Sequence, residues 1–202
     1  MNTALLGELV HLTIGKTPPR GESKYWDKDK QTQNIWLSIA DMKRGNGIYL
    51  SESSEYISDL GASLFKPVPK GTLIVSFKLT LGRLAFTEKD LFTNEAIAAL
   101  HNDQKLITNK YLYYYLLMFD WTDFAKADMK VKGLTLNKAK LNKIPIHYPG
   151  SLDKQREITD KLDYDLSRVN TALDLTEKRT RLLTDLKDSI LNRALTDRIE
   201  NS

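Results

Sequence analysis

Apolar residues recur along this chain in two rhythms, and the change between them falls at Pro149-Gly150. Upstream, short apolar runs broken by glycine, proline and asparagine predict the strands and brief helices of a mixed α+β domain. Residues 5–14 are mostly apolar with an early break at Gly7, and predict a strand running into a loop that Gly15, Pro18, Pro19 and Gly21 keep irregular. Residues 35–39 alternate as a strand does; Gly45-Asn46-Gly47 then predicts a turn, with Lys43 and Arg44 in it, before a short strand over 48–50. Residues 56–65 read as a short helix interrupted by Gly61, and 72–77, 83–87 and 95–100 as strands, with Lys78 and Arg83 flanking a turn. Thr108 or Asn109 is placed to cap a helix ending near Ala127. The tyrosines at 113–115 read as core and rim packing, 134–143 as one or two helical turns, and 144–148 as a closing strand.

Downstream, residues 152–199 contain neither proline nor glycine and predict one helix of roughly 70 Å. Ser151 is placed to cap it, and Asp153 sits favourably in its first turn. Leu162, Leu166, Val169, Leu173, Thr176, Thr180, Leu183, Lys187, Ile190 and Ala194 step alternately by four and three residues, the a/d rhythm of a coiled coil. Leu182, Leu186, Leu191 and Leu195 widen that seam. A single helix cannot bury such a face, so the pattern predicts a second long helix against it. The expected organisation is a globular mixed α/β domain over 1–148, followed by a helical region over 149–202 that ends the chain as one long coiled-coil helix.

Composition adds a direction to this picture. The 202 residues carry a net charge of +4, but residues 1–148 hold 20 Lys+Arg against 15 Asp+Glu, while 149–202 hold 10 against 11. The basic excess belongs to the first domain, which makes a polyanion partner plausible. With no cysteine, disulfides, thiolate zinc sites and cysteine nucleophiles are excluded. No apolar run approaches the about 18 residues of a membrane span, so the expectation is a soluble, cytoplasmic chain.

Candidate chemistry is sparse. His11, His101 and His147 are scattered and fall in no metal-ligand or triad spacing. Gly15-Lys16-Thr17 resembles the end of a phosphate-binding loop, but Val10 stands where its first glycine is needed, and Pro18-Pro19 follows where a helix should begin. Neither Asn-Pro-Pro-Tyr nor Asp-Pro-Pro-Tyr is present, and Glu22-Ser23-Lys24 lacks the aspartate of a nuclease cluster. The residues predict a chain that binds rather than reacts, with no metal or cofactor of its own.

The order of short motifs carries more than any one of them. Leu6-Gly7-Glu8-Leu9, Gly15-Lys16-Thr17-Pro18, Tyr25-Trp26, Trp36-Leu37-Ser38-Ile39-Ala40-Asp41, Pro69-Lys70-Gly71-Thr72, Leu81-Gly82 and Thr93-Asn94-Glu95-Ala96-Ile97-Ala98 follow one another. Residues 137–145 come next, and Gln155 then opens the long helix. This succession resembles the DNA-specificity (S) subunit of type I restriction-modification systems over nearly the whole chain. Family members typically carry two target-recognition domains, each followed by a helical conserved region, with the two helices antiparallel; this chain has one of each. It departs from the family where a glycine-rich stretch becomes Lys78-Leu79-Thr80, where a double proline with Glu-Gln becomes Tyr148-Pro149 and Lys154-Gln155, and where the loop near Gly133 is loaded with lysine.

The resemblance implies a non-catalytic reader of double-stranded DNA that serves a partner methyltransferase (M) subunit. S-adenosylmethionine would be bound by that partner, and a motor-nuclease (R) subunit would join in a restricting complex. Combined with the seam, it predicts a homodimer through antiparallel helices, using Leu162, Leu166, Val169, Leu173, Leu183 and Ile190, on a bipartite palindromic target. The expected DNA-contact pool is Lys16, Thr17, Arg20, Lys24, Lys43, Arg44, Lys78, Arg83, Lys130 and Lys132, with Arg20 and Arg83 the candidates for bidentate guanine contacts. Two other readings fit the same residues: an inactive recognition cassette stored for recombination, and a coiled-coil interaction protein whose basic domain binds RNA or another protein.

Overall fold

The computed structural model describes residues 1–44, 48–126 and 136–200. It opens with strand β1 (Asn2–Leu5), a single helical turn α1 (Leu6–Leu9) and β2 (His11–Ile14). A 3-10 turn (Ser23–Tyr25), β3 (Ile35–Leu37), α2 (Asp41–Arg44), β4 (Tyr49–Leu50), β5 (Glu55–Tyr56) and α3 (Asp59–Ala62) follow. Next come β6 (Leu73–Ser76), β7 (Leu84–Thr87), β8 (Phe92–Thr93) and β9 (Ile97–His101). Helices α4 (Asn109–Leu117), α5 (Trp121–Lys126) and α6 (Lys138–Leu141), strand β10 (Pro145–Tyr148) and the 49-residue α7 (Leu152–Glu200) complete it. The architecture is the expected α+β domain with a long C-terminal helix. By internal contacts the chain divides into two units, Met1–Arg156 and Glu157–Ser202.

The central sheet runs in the order β2-β9-β6-β7-β4, antiparallel except where β4 lies parallel to β7. Its middle strands are buried on both faces, so their sequences read as unbroken apolar runs. Leu73 and Val75 of β6, with Ala98 and Leu100 of β9, face one core with Leu12, Phe77, Leu112, Leu116, Ile144 and Ile146. Ile74 and Ala99, one residue out of phase, face a second core with Ile35, Leu37 and Leu91. A smaller sheet, β5-β3-β8, carries the third cluster, Trp36, Ile57 and Phe92. β1 and β10 pair antiparallel, Asn2 opposite Tyr148, which brings the two ends of the domain together.

The short helix expected over 56–65 is confined to Asp59–Ala62, with Tyr56 in β5, and three further expectations change. The single strand over 5–14 is β1, α1 and β2: the Glu8 carboxylate accepts a hydrogen bond from the Leu5 amide (2.7 Å), and Leu6 and Leu9, one helical turn apart, are both buried. The helix expected over 108–127 breaks in two, because the Asp120 carboxylate caps a fresh start at the Asp123 amide (2.8 Å) and the Trp121 indole donates back to the Leu116 carbonyl (2.9 Å). Lys43 and Arg44 end α2 rather than sitting in a turn, since Asp41 anchors a helical turn there. The Asp41 carboxylate accepts from the amides and hydroxyls of both Ser38 (2.9 and 2.6 Å) and Ser54 (3.0 and 2.7 Å). Burial by itself would raise its pKa; these hydrogen bonds outweigh burial and hold it at about 2.

Gln155 fastens the root of α7. Gln155 is fully buried; its Oε1 accepts from the Thr108 amide (2.8 Å), and its Nε2 donates to the carbonyls of Leu106 (2.9 Å) and Pro149 (2.8 Å). Ser151 caps the helix through the Lys154 amide (3.3 Å), as its position predicted.

Candidate nucleic-acid interface

Three connections meet around Glu95: the loop after β2, the β6–β7 turn, and the link from β8 to β9. Gly15 makes the first approach possible, because a Cβ there would overlap the Thr93 and Asn94 carbonyls. Main-chain bonds then fasten the loop, Gly15 N to Ile97 O (3.1 Å) and Lys16 N to Thr93 O (2.7 Å). Both neighbouring tryptophans hold its carbonyls: Trp36 Nε1 donates to Lys16 O (3.0 Å) and Trp26 Nε1 to Pro19 O (3.1 Å).

Of the predicted contact residues, Thr17, Arg20 and Lys78 come together about Glu95. The Thr17 hydroxyl donates to the Glu95 carboxylate. That bond, with the residue's own amide and the nearby charges of Lys78 and Arg20, holds the Glu95 carboxyl below its ordinary pKa. Glu95 and Glu55 are the neighbours of these candidate residues that the sequence did not single out. Glu95 does lie inside the Thr93-Asn94-Glu95-Ala96 motif, which was the available signal; nothing in the sequence marked Glu55.

Arg20 and Arg83, the two expected guanine readers, are both engaged within the chain. The Arg20 guanidinium forms a two-pronged pair with Glu55 (Nη2 to Oε2, 3.1 Å) and lies over the rings of Trp26 (4.1 Å) and Trp36 (4.6 Å). Beside this pair is an open cavity of about 490 Å³, edged by Trp26, Asp27, Ser54 and Tyr56. Arg83 donates from Nη1 to the Ile39 carbonyl (3.1 Å).

The remaining candidates are dispersed. Lys16 reaches over the Phe65 ring (5.9 Å), at a second cavity of about 710 Å³ that also contains Lys66 and His101. Lys24 pairs with Glu22 (2.6 Å) on the 3-10 turn, which raises its pKa. The side chains of Lys43 and Arg44, and the whole of Lys130 and Lys132, lie outside the described residues.

The histidines are less scattered than their numbers imply. The β2–β9 register sets His11 opposite His101, rings 6.1 Å apart, and His101 Nε2 shares a hydrogen bond with the Thr13 hydroxyl (2.7 Å). Burial, with His11 adding to it, lowers the His101 pKa. Tyr113 is buried and Tyr114 and Tyr115 are half-buried, the expected packing roles.

On α7 the seam residues stand exposed, from Leu162 (37%) and Leu166 (43%) to Leu183 (57%) and Ile190 (59%). The hydroxyls of Thr176 and Thr180 donate within the helix to the carbonyls four residues back (2.8 and 3.0 Å), so each has already satisfied its donor. Among the described residues no helix is long and apolar enough to cross a membrane.

A mixed domain with Arg20, Lys78 and Thr17 about Glu95, followed by a long helix with an exposed apolar seam, is the arrangement to set beside known proteins. The chain belongs to the type I restriction modification DNA specificity domain family, whose model matches residues 1–182. It is 26% identical to the type I restriction enzyme HindI specificity subunit of Haemophilus influenzae, over 96% of this chain and 40% of that protein. It is 25% identical to the MjaIX specificity subunit of Methanocaldococcus jannaschii, over 74% of this chain and 34% of that one. Its fold superposes on a chain from a type I R-M system, solved for complex assembly and conformational transition, with TM-score 0.76, 20% identity and coverage of 96% and 45%. For the HsdS subunit from Thermoanaerobacter tengcongensis the values are 0.63, 20%, 84% and 38%. The chain thus spans about two fifths or less of the length of these curated relatives.

Proposed function

We propose that this chain reads one half of a bipartite DNA target for a partner adenine methyltransferase, and that two copies pair through antiparallel α7 helices. Residues 1–148 act as the target-recognition domain and 149–202 as the pairing and spacing region. The chain supplies the address; the methyltransferase binds S-adenosylmethionine and flips the adenine out of the stack. In a restricting complex a motor-nuclease subunit joins. Thr17, Arg20 and Lys78 about Glu95, with Lys16, Lys24 and Arg83, supply the cations and donors, and Lys43, Arg44, Lys130 and Lys132 extend the pool. Engagement frees the Arg20 fork from Glu55, and a guanine edge or a phosphate takes the place of the carboxylate.

The observation that carries the pairing is the order of the exposed seam, which is self-complementary about residue 178. In an antiparallel pair centred there, Leu166 meets the partner's Ile190, Leu173 meets Leu183, Thr176 meets Thr180, and Val169 meets the stem of Lys187. Asp165 falls opposite Arg193, while Glu177 and Arg179 each meet their own copies and cost a little at the centre. The two Glu157 positions stand roughly 60 Å apart along the axis. Because the chain has no cysteine, paired cysteines can test the register directly. The double variant L173C/L183C cross-links, and L173C by itself does not; a dimer cross-linked by L173C alone is parallel and overturns the pairing. Co-expression with a methyltransferase and mapping of methylated adenines is expected to show a palindromic bipartite motif. An asymmetric motif overturns the homodimer, and no motif overturns the reading itself.

A further inference from the structure

We propose that Leu79 is the apolar tip of the DNA-reading surface, a wedge that enters between stacked bases while Lys78 and Arg83 hold the flanking phosphates. The inference rests on the DNA-reading assignment above. Leu79 is 87% exposed, whereas Phe77, two residues earlier, is 2% exposed. Its backbone lies in the left-handed region (φ +63°), where a branched side chain crowds its own carbonyl and a glycine would sit without strain. A leucine displayed in water on a strained backbone carries two costs, and neither is offset by any packing.

The turn is built to hold that conformation. Ser76 is fully buried; its hydroxyl donates to the Thr80 carbonyl (2.6 Å) and accepts from the Arg83 amide (3.0 Å). The Gly82 amide donates to Ser76 O (2.9 Å), and that of Thr80 to Lys78 O (2.7 Å). Gly82, also left-handed (φ +75°), lies so close to the Trp121 ring that a Cβ would overlap it. A turn fixed at both ends cannot fold its tip back onto the protein. Strain kept in place by its surroundings is a mark of function.

The charges around the tip point to the ligand. Lys78 precedes it, Arg83 follows, and the charge of Lys78 reaches Glu95, which Thr17 also bonds. An apolar projection with Lys78 beside it, and with Arg83 closing its turn and held by the Ile39 carbonyl until DNA offers a phosphate, matches a duplex groove, which has phosphates at its rim and apolar base faces within.

The test uses the full chain with a co-purified partner methyltransferase and a random-sequence duplex library. Wild-type protein enriches a motif, and L79G and L79A bind the enriched duplex about tenfold more weakly with an unchanged salt slope. K78A weakens binding too, but lowers that slope by about one. A 2-aminopurine at the contacted step brightens with wild type and stays dark with L79G. The Tm of L79G holds or rises by about 2 °C as strain is relieved. Wild-type affinity in L79G overturns the wedge, as does loss of binding accompanied by a lower Tm, which would mark Leu79 as structural. Binding lost on replacing thymine by deoxyuracil, without 2-aminopurine brightening, overturns it in favour of a methyl contact. A wild-type chain that enriches no duplex overturns the DNA-reading assignment and the wedge together.

Discussion

The two units treat their apolar residues in opposite ways. In Met1–Arg156 the large side chains gather into three clusters, and even an exposed arginine such as Arg20 has a carboxylate and two rings beside it. In Glu157–Ser202 the leucines from Leu162 to Leu191 stand in solvent. The first unit buries most of its large apolar side chains and leaves only scattered ones such as Leu79 exposed; the second leaves a whole seam uncovered, which the proposed pairing would bury. Stability of the one and association of the other are therefore separate quantities, and substitutions should move them independently.

The largest expected effect lies in association. L166D with L173D places carboxylates opposite Ile190 and Leu183 of the proposed partner helix and is expected to weaken the dimer more than 100-fold in sedimentation equilibrium. The thermal transition of the first unit should not move; if it does, the division between the units is wrong. Next is Q155A, which strands the Thr108 amide and two carbonyls at the root of α7. Thermal or denaturant unfolding should show a loss of about 2–3 kcal/mol, with dimer affinity measured below the transition unchanged.

Asp41 follows, at about 2 kcal/mol. Its folded pKa, about 2 against an ordinary 3.8, lies below the unfolded value, so the carboxylate stabilises the first unit above pH ~4. That contribution is lost as pH falls from ~4 towards ~2. D41N should be less stable than wild type at neutral pH and flatter across that window; an equally steep acid transition in D41N would assign it elsewhere. The smallest effect is at the seam's centre, where E177Q removes a like-charge contact between copies and should tighten the dimer about twofold. A weaker dimer would shift the register away from residue 178.

The same contrast explains what could be read from the chain. Strands β6, β7 and β9 were legible as largely apolar runs, β10 by its alternation of buried Ile146 and Tyr148 with exposed His147, and the long α7 as an unbroken period with its cap in place at Ser151. The α1 turn and the break between α4 and α5 were not. They depend on a carboxylate reaching back to Leu5 and on Trp121 turning to Leu116, contacts that no periodicity encodes. Within the candidate site, residue types pointed to Thr17, Arg20 and Lys78, but not to Glu95 as their common neighbour or Glu55 as the partner of Arg20. Acids that restrain a basic surface look like any other solvated charge until the loops are folded. The His11–His101 pair was hidden for a related reason: 90 residues separate two positions that one strand register makes adjacent.

If α7 pairs as proposed, its unbroken run also makes target spacing an inherited length that changes by simple arithmetic. A heptad inserted before residue 178 keeps the seam on the same face, turned by only about 20°, and lengthens each arm by roughly 10 Å. In the proposed pair, the two copies' DNA-reading domains would then stand roughly 20 Å further apart, about six base pairs of duplex. A lineage could acquire a new DNA address through a slipped repeat in the helix, leaving every residue of its reading loops untouched.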